Sequence, residues 1–247
     1  MAPRVAFVAL ASDFGCQVQI TNMEDHLLDV LGTIDLVYWQ LASSGHMPEA
    51  YDVAVIEGAV TTDEHVATLK RVRETAAVVV VIGACAIQGG IPALAGTGDL
   101  EQRFATVYGS DAPVARGRRA PAPVESVIHV DYRVPGCPIE PAEFVRVLNR
   151  AMRGLADRPA EDPLCAFCKM NENLCLLDAG QPCLGLITRT GCGATCVSRG
   201  RACTGCRGLS PVANLAAART VFTEKGLDPA RIDQTLSIYN SYGEAAR

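Results

Sequence analysis

The chain has 247 residues, enough for one large domain or two smaller ones, and 49% of them are hydrophobic, which suffices for a core. The net charge of −5 gives no basis for binding nucleic acid. The N-terminus lacks the apolar segment and cleavage site of a secretory signal. The most apolar stretch, residues 76–87, is too short to cross a bilayer. These features predict a cytoplasmic protein without a membrane span.

Short apolar strands alternate with helices through the first part of the chain. Strands are predicted at residues 4–10, 35–38, 52–56, 77–82 and 127–130, and helices at residues 23–31, 62–74 and 141–154. The strands are apolar along nearly their whole length, as expected for a parallel sheet that is covered on both faces. The alternation therefore predicts an α/β fold with a doubly wound parallel sheet.

Three cysteines and one glutamate follow directly after predicted strands. They are Cys16, Cys85, Cys137 and Glu57. In open α/β sheets, ligands bind at the carboxyl ends of the strands. We therefore expect these side chains, which are far apart in sequence, to meet at one edge of the sheet.

The composition changes after a polar, proline-containing linker at residues 157–163. Residues 164–210 are rich in cysteine and glycine and have little apolar periodicity. We expect them to fold around inorganic cofactors, since they lack the pattern of a normal core. The end of the chain is predicted to form one or two short polar helices. These features predict three segments, which are residues 1–156, 157–210 and 211–247.

Eight of the eleven cysteines fall within 42 residues of the second segment. They are Cys165, Cys168, Cys175, Cys183, Cys192, Cys196, Cys203 and Cys206. Disulfides are disfavoured in the reducing cytosol, and thiol redox catalysis uses a single C-x-x-C pair. Eight thiolates can hold two zinc ions or two [4Fe–4S] clusters. The three earlier cysteines favour iron–sulfur, because a zinc scaffold does not explain them, and zinc stays the alternative.

Several motifs in combination resemble one family. They are ASDFGCQVQI, IEGAV, IGACAIQGGIPAL, VPGCPIEP, CAFCKMNENLCLL, CLGLITRTGCGATC and ACTGCRG. The sequence resembles the small, electron-transferring subunit of cytosolic group 3 [NiFe] hydrogenases, over about residues 4–208. It is most similar to the delta subunit of the NADP-linked sulfhydrogenase type, and next to the small subunits of the F420-reducing and viologen-reducing types.

The resemblance implies a flavodoxin-like domain that holds a proximal [4Fe–4S] cluster, followed by a ferredoxin-like segment with two more clusters. Cys16, Cys85 and Cys137 match the proximal ligands, and the eight later cysteines match the medial and distal ligands. The division of those eight into two sets stays open. The four histidines, His26, His46, His65 and His129, match none of the ligand motifs.

Asp13 stands where many members of this family have the first cysteine of a C-x-x-C pair. A carboxylate binds iron through oxygen, so Asp13 is predicted to be the fourth proximal ligand. The alternative is that Asp13 only caps a turn before a helix. Glu57 is expected beside the same cluster, where it relays protons or accepts a backbone hydrogen bond, or is an ordinary carboxylate at the sheet edge.

The resemblance implies that this chain carries no catalytic residue and that hydrogen is split in a partner large subunit with a nickel–iron centre. Electrons leave towards a diaphorase-type subunit that carries flavin and further iron–sulfur clusters. FAD and NAD(P) or F420 are expected only in partner subunits, since the chain has neither a G-x-G-x-x-G nor a P-loop motif. The alternatives are a complex I-like subunit, a stand-alone iron–sulfur carrier and a zinc-binding scaffold.

Overall fold

The computed structural model describes residues 2–109 and 117–242. The chain divides into two compact units, residues 1–157 and residues 158–247. The division falls at the start of the polar linker. Within the described ranges, no helix combines the length and the apolarity that a membrane crossing requires.

The first unit is built on a five-stranded parallel sheet. Its strands are β1 (Arg4–Ala9), β2 (Asp35–Trp39), β3 (Val53–Glu57), β5 (Val78–Ile82) and β7 (Tyr132–Val134). They lie in the order β2-β1-β3-β5-β7, which is the strand order of the flavodoxin-like folds. The predicted α/β fold with a doubly wound parallel sheet is therefore confirmed.

Helices cover both faces of this sheet. They are α1 (Gly15–Thr21), α2 (Asp25–Leu31), α3 (Asp63–Thr75), α4 (Gly83–Gln88) and α6 (Pro141–Met152), whereas α5 (Leu100–Tyr108) lies beside the 3-10 helix Ile91–Gly96 and has no buried residue. Alternate side chains of each strand point to opposite faces. Phe7 therefore packs with Trp39 and Phe144 on one side, while Ile56 packs with Leu69 of α3 on the other.

A two-stranded antiparallel sheet extends the first unit. It pairs β4 (Val60–Thr62) with β6 (Arg118–Ala122). Helix α3 follows β4 directly, and the hydroxyl of Thr62 accepts a hydrogen bond from the backbone N–H of His65 at 3.1 Å. This hydrogen bond caps the N-terminus of the helix. The small sheet itself was not predicted, because its strands are short and contain few apolar residues.

The strand predicted at residues 127–130 is wrong. A 3-10 turn occupies Val124–Ser126 instead, and β7 begins only at Tyr132. Asp131 sets this start, because its carboxylate accepts from the N–H of Val79 at 2.7 Å and its own N–H donates to the carbonyl of Val79 at 3.0 Å. Val127, Ile128 and Val130 are apolar because they pack on the α3 side of the sheet, outside any strand.

Up to residue 242, the second unit contains four α-helices, α7 (Leu164–Met170), α8 (Thr195–Ser198), α9 (Leu215–Glu224) and α10 (Pro229–Asn240). Contrary to expectation, the cysteine-rich segment contributes to an apolar core. Leu184 and Ile187 are buried against residues of the last two helices, which include Phe222, Ile232 and Leu236. The pattern was missed because the aliphatic residues of the segment lie in short turns without a helical or strand period.

Candidate functional site

A cavity of about 460 Å³ opens at the carboxyl ends of β1, β5 and β7. We call it the edge cavity. It is lined by fifteen residues, among which are Asp13, Cys16, Glu57, Cys85 and Cys137. The structure thus brings together all the residues that the sequence predicted at the sheet edge and for the proximal cluster. No histidine is among the lining residues.

Cys16 is held in place by Glu57. The carboxylate of Glu57 accepts a hydrogen bond from the N–H of Cys16 at 3.0 Å and another from the N–H of Gln17 at 3.2 Å. Burial of Glu57, which is only 2% exposed, raises the pKa of its carboxyl group, and the two N–H donors oppose that rise. Glu57 therefore fixes the first turn of α1, which carries Cys16.

Gln17 and Trp39 extend this arrangement into the core, and sequence reasoning missed both. The indole N–H of Trp39 donates to the side-chain oxygen of Gln17 at 2.7 Å. Both residues are buried, at 1% and 3% exposure for Gln17 and Trp39. No local signal in the sequence marks Gln17, because Gln19, Thr21 and Asn22 follow it and its burial depends on the fold.

Gly83 allows the thiol of Cys16 to approach the turn that carries Cys85. Its φ is +84°, and a Cβ atom at this position would lie 2.5 Å from Sγ of Cys16. The next N–H, that of Ala84, donates to the carbonyl of Gly136 at 2.7 Å. That bond joins the turn of Cys85 to the turn of Cys137, while the segment of Cys16 approaches Gly83 through its thiol.

Asp13 lies at the exposed side of the edge cavity. One of its carboxylate oxygens, Oδ1, accepts a hydrogen bond from the N–H of Gly15 at 2.9 Å. This is the bond of a turn-capping aspartate. Phe14, between the two, adopts the left-handed conformation with φ of 60°. A carboxylate has two oxygens with several lone pairs, so a turn bond at Oδ1 does not prevent Asp13 from binding a cation.

Burial raises the pKa of two thiols in the edge cavity, those of Cys16 and Cys85. The pKa of Cys85 is raised to about 11 by burial first, and then by the charges of Cys137, Asp13 and Glu57. Burial, followed by the charge of Glu57, raises the pKa of Cys16 even further. These thiols are therefore protonated at neutral pH, and a metal centre that binds them must displace the protons.

The donor set of three thiols and one carboxylate around a cavity fits an iron–sulfur cluster. Each protein ligand of a four-iron cluster binds a different iron, so the ligands surround a cavity instead of converging on one point. A structural zinc ion needs four ligands around one centre. Within residues 2–109 and 117–242, no three His, Cys, Asp or Glu side chains are close enough to share one metal ion.

In the second unit, four of the eight cysteines influence one another. Cys165 and Cys168 lie on α7, and Cys175 and Cys183 follow it. Burial raises the pKa of Cys165 to about 11, with further contributions from the charges of Cys183, Cys168 and Cys175. At Gly185, a Cβ atom would lie 3.5 Å from Sγ of Cys165 and 3.7 Å from Sγ of Cys183.

The other four cysteines follow in sequence, and one of them contacts the first group. Burial raises the pKa of Cys203 to about 12; hydrogen bonds from Gly205 and Thr188 oppose this, and the charges of Cys183 and Cys206 add to it. The N–H of Cys203 donates to Sγ of Cys183 at 3.3 Å. All eleven cysteines lie in described residues, and none of them forms a disulfide.

Comparisons with known proteins identify relatives of this chain. The family described as NADH ubiquinone oxidoreductase, 20 Kd subunit, matches residues 14–151. Sulfhydrogenase 2 subunit delta of Pyrococcus furiosus is 33% identical over 197 residues, which cover 79% of this chain and 82% of that protein. One subunit of the F420-non-reducing hydrogenase vhu of Methanocaldococcus jannaschii is 29% identical over 237 residues, which cover 84% of this chain and 82% of that protein.

Solved structures of hydrogenases share the fold. A chain of an NAD+-reducing [NiFe]-hydrogenase in the H2-reduced state is 28% identical, with a TM-score of 0.54, and the match covers 63% of this chain and 93% of that one. A chain of the Ni-Fe-Se hydrogenase from Desulfomicrobium baculatum has a TM-score of 0.60 at 15% identity, and the match covers 99% of this chain and 100% of that one. Because its sequence identity is only 15%, the second match shows similarity of fold alone.

A parallel α/β sheet with cysteines at its carboxyl edge, followed by a second cysteine-rich unit, defines an electron-transfer protein of the iron–sulfur class. The chain belongs to the family of the NADH ubiquinone oxidoreductase 20 kDa subunit, as a hydrogenase small subunit of the group 3 type. The resemblance noted in the sequence is confirmed. The chain is thus a subunit of an oxidoreductase, and its family indicates iron–sulfur cofactors.

Proposed function

We propose that this chain carries electrons one at a time between the nickel–iron site of a hydrogenase large subunit and a flavin- and iron–sulfur-containing partner subunit. The edge cavity is the observation that carries the proposal, because it gathers three thiols and two carboxylates at the carboxyl ends of the strands. The chain's own residues would bind and insulate the cofactors, and the bond-breaking step belongs to the large subunit.

In this proposal, Asp13, Cys16, Cys85 and Cys137 hold the proximal [4Fe–4S] cluster. All four line the edge cavity. The Oδ1 atom of Asp13 keeps its bond to the N–H of Gly15, which leaves Oδ2 for iron. The oxygen donor is harder than the thiolates, so the fourth iron has a different ligand field from the other three.

The eight later cysteines would hold the medial and distal [4Fe–4S] clusters, which gives three clusters in all. We group the first four together because the charges of Cys168, Cys175 and Cys183 act on Cys165, and those of Cys168 and Cys175 act on Cys183. One set is Cys165, Cys168, Cys175 and Cys183, and the other is Cys192, Cys196, Cys203 and Cys206. Bound clusters of this kind supply one-electron chemistry at potentials that the surrounding residues set.

Glu57 acts as a positioning residue in this scheme. Both of its carboxylate oxygens are engaged by the backbone N–H groups of Cys16 and Gln17. A carboxylate held in this way keeps the backbone of a ligating cysteine fixed through oxidation and reduction. These bonds support the hydrogen-bonding role of Glu57, and no contact in the described residues calls for proton transfer through it.

The partners follow from the named relatives. One relative is the delta subunit of an NAD-reducing hydrogenase, and others are subunits of F420-non-reducing hydrogenases. We infer a complex with a [NiFe] large subunit and a diaphorase-type subunit, in which FAD and NAD(P) or F420 are bound outside this chain. We place the complex in the cytoplasm, where thiols stay reduced until they bind metal.

Metal and sulfide analysis of the anaerobically purified complex tests the proposal. Each substitution Cys16→Ser, Cys168→Ser and Cys206→Ser is expected to remove about four irons relative to the wild type, so that the chain accounts for about twelve. Ile91→Ala, which alters a cavity residue that has no ligand atom in its side chain, serves as the control. A colourless protein that contains zinc and no iron would instead support the scaffold alternative.

A further inference from the structure

Helix α7 ends in a loop whose two asparagines reach the stretch that carries Cys196. The side-chain amide of Asn171 donates to the carbonyl of Gly193 at 2.9 Å. The side-chain amide of Asn173 donates to the hydroxyl oxygen of Ser198, at the end of α8, at 3.0 Å. The same nitrogen of Asn173 lies 3.6 Å from Sγ of Cys168 in a second hydrogen bond.

The two bonds of Asn173 are compatible with each other. An amide nitrogen carries two N–H donors, so it can serve the sulfur of Cys168 and the oxygen of Ser198 at the same time. The distance to sulfur is longer because sulfur is the larger atom. Asn173 therefore contacts a thiol of the first cysteine set and, through Ser198, the helix that carries Cys196 of the second set.

The backbone fixes Asn173 in this position. The N–H of Asn173 donates to the carbonyl of Cys168 at 3.3 Å, and the N–H of Glu172 donates to the carbonyl of Lys169 at 3.0 Å. These are the two bonds of a Schellman motif. Glu172 takes the left-handed position with φ of 56°, which is unfavourable for a residue with a side chain. The loop therefore has one well-defined conformation, with the amide of Asn173 directed at Cys168.

A hydrogen bond to a ligand sulfur draws negative charge away from the cluster. Since reduction adds an electron, the bond stabilises the reduced state more than the oxidised one and raises the reduction potential. Asn171 makes no bond to a ligand sulfur that the structure shows, although it lies only two residues away. Variants at the two asparagines therefore distinguish loss of the hydrogen bond to sulfur from a general change in the loop.

We propose that Asn173 is a positioning residue that raises the reduction potential of the cluster held by Cys165, Cys168, Cys175 and Cys183. This inference rests on the proposed function, since it requires a cluster at those cysteines. Asn173 is outside the proposed ligand set, yet its hydrogen bond to Cys168 makes that cluster easier to reduce. Its second hydrogen bond, to Ser198, connects Cys168 to α8, which carries Cys196 of the other set.

The test is a redox titration of the anaerobically purified complex, followed by electron paramagnetic resonance. The signal that is lost in Cys168→Ser identifies the cluster. Asn173→Asp keeps the shape of the side chain and can accept from the hydroxyl of Ser198, but it has no donor for the sulfur. We expect it to make reduction of that cluster at least tenfold less favourable, a fall in midpoint potential of about 59 mV for one electron.

Asn171→Asp is the matched control, because it adds the same charge two residues away and leaves the bond to Cys168 intact. Its shift is expected to be smaller than that of Asn173→Asp. Asn173→Ala removes the donor without adding charge and should shift the midpoint in the same direction. Ser198→Ala leaves the bond to sulfur in place and should leave the midpoint unchanged.

Iron analysis keeps this inference separate from the proposed function. An iron-free wild-type complex would remove the proposed function itself. If iron is present and both Asn173 variants titrate like the wild type, or if Asn171→Asp shifts the midpoint as much as Asn173→Asp does, the role of Asn173 is overturned. Should Asn173→Ala fail to assemble, the near-isosteric Asn173→Asp decides the question.

Discussion

Gly83 offers a sharp test of how the edge cavity is built. The substitution Gly83→Ala has two separate costs. Alanine at φ of +84° is in the left-handed region, which costs about 1–2 kcal/mol. Its Cβ atom would lie 2.5 Å from Sγ of Cys16, a contact that requires the thiol or the turn to move. Overpacking of this kind costs about 1–3 kcal/mol more.

Gly154 supplies the matched control within the same unit. Its φ is +63°, and a Cβ atom there would meet nothing within 4 Å. Gly154→Ala therefore carries the backbone cost of about 1–2 kcal/mol without the contact. The difference between the two variants, about 1–3 kcal/mol, isolates the contact between residue 83 and the thiol of Cys16.

Two measurements on the anaerobically purified complex check this prediction. The thermal midpoint should fall more for Gly83→Ala than for Gly154→Ala. Iron content should fall in Gly83→Ala, because displacement of Cys16 removes a ligand from the edge cavity, and it should stay at the wild-type level in Gly154→Ala. Equal thermal midpoints and equal iron contents in the two variants would refute the reasoning. The position of the Cys16 thiol would then not require the absence of a side chain at residue 83.

Three further predictions address single side chains. Asp13→Cys should change the potential of the proximal cluster in a redox titration, and an unchanged proximal signal would remove Asp13 from the ligands. Glu57→Gln leaves one of the N–H groups of Cys16 and Gln17 without an acceptor, which should cost about 1–3 kcal/mol and lower the thermal midpoint; a stability equal to the wild type would contradict this. Burial lowers the pKa of His65 below its usual 6.5. The unfolded chain therefore binds that proton more readily, and stability should fall as the pH drops below about 6.5, whereas His65→Gln should show a smaller fall in thermal midpoint.

Much of the first unit could be predicted from the sequence, because its strands carry a strong signal. The strand Val78–Ile82 consists of five consecutive β-branched residues, and the rule that ligands meet at the carboxyl ends of parallel strands then places Cys16, Cys85 and Cys137 together. The short strand Tyr132–Val134 escaped prediction, since a longer apolar run precedes it and pairing to Val79 decides where it begins.

The details of the site depend on contacts between distant residues, which a single sequence does not reveal. The approach of Cys16 to Gly83 joins positions 67 residues apart. The bonds from Cys16 and Gln17 to Glu57 span 41 and 40 residues. Asn173 had a local signal, since an asparagine after a helix is typical of its C-terminal end. Its bond to the thiol of Cys168, however, depends on the conformation that the loop takes.

The hydrogen bond from the N–H of Cys203 to Sγ of Cys183 has a consequence for assembly of the holoprotein. Cys183 is the last cysteine of the first proposed set, and its Sγ atom accepts this bond from the backbone of Cys203, which belongs to the second set. If the two sets bind clusters as proposed, a cofactor inserted at one set would also help to order a ligand of the other. Maturation of this unit should accordingly be cooperative, with chains that are filled at both positions or at neither favoured over half-loaded ones.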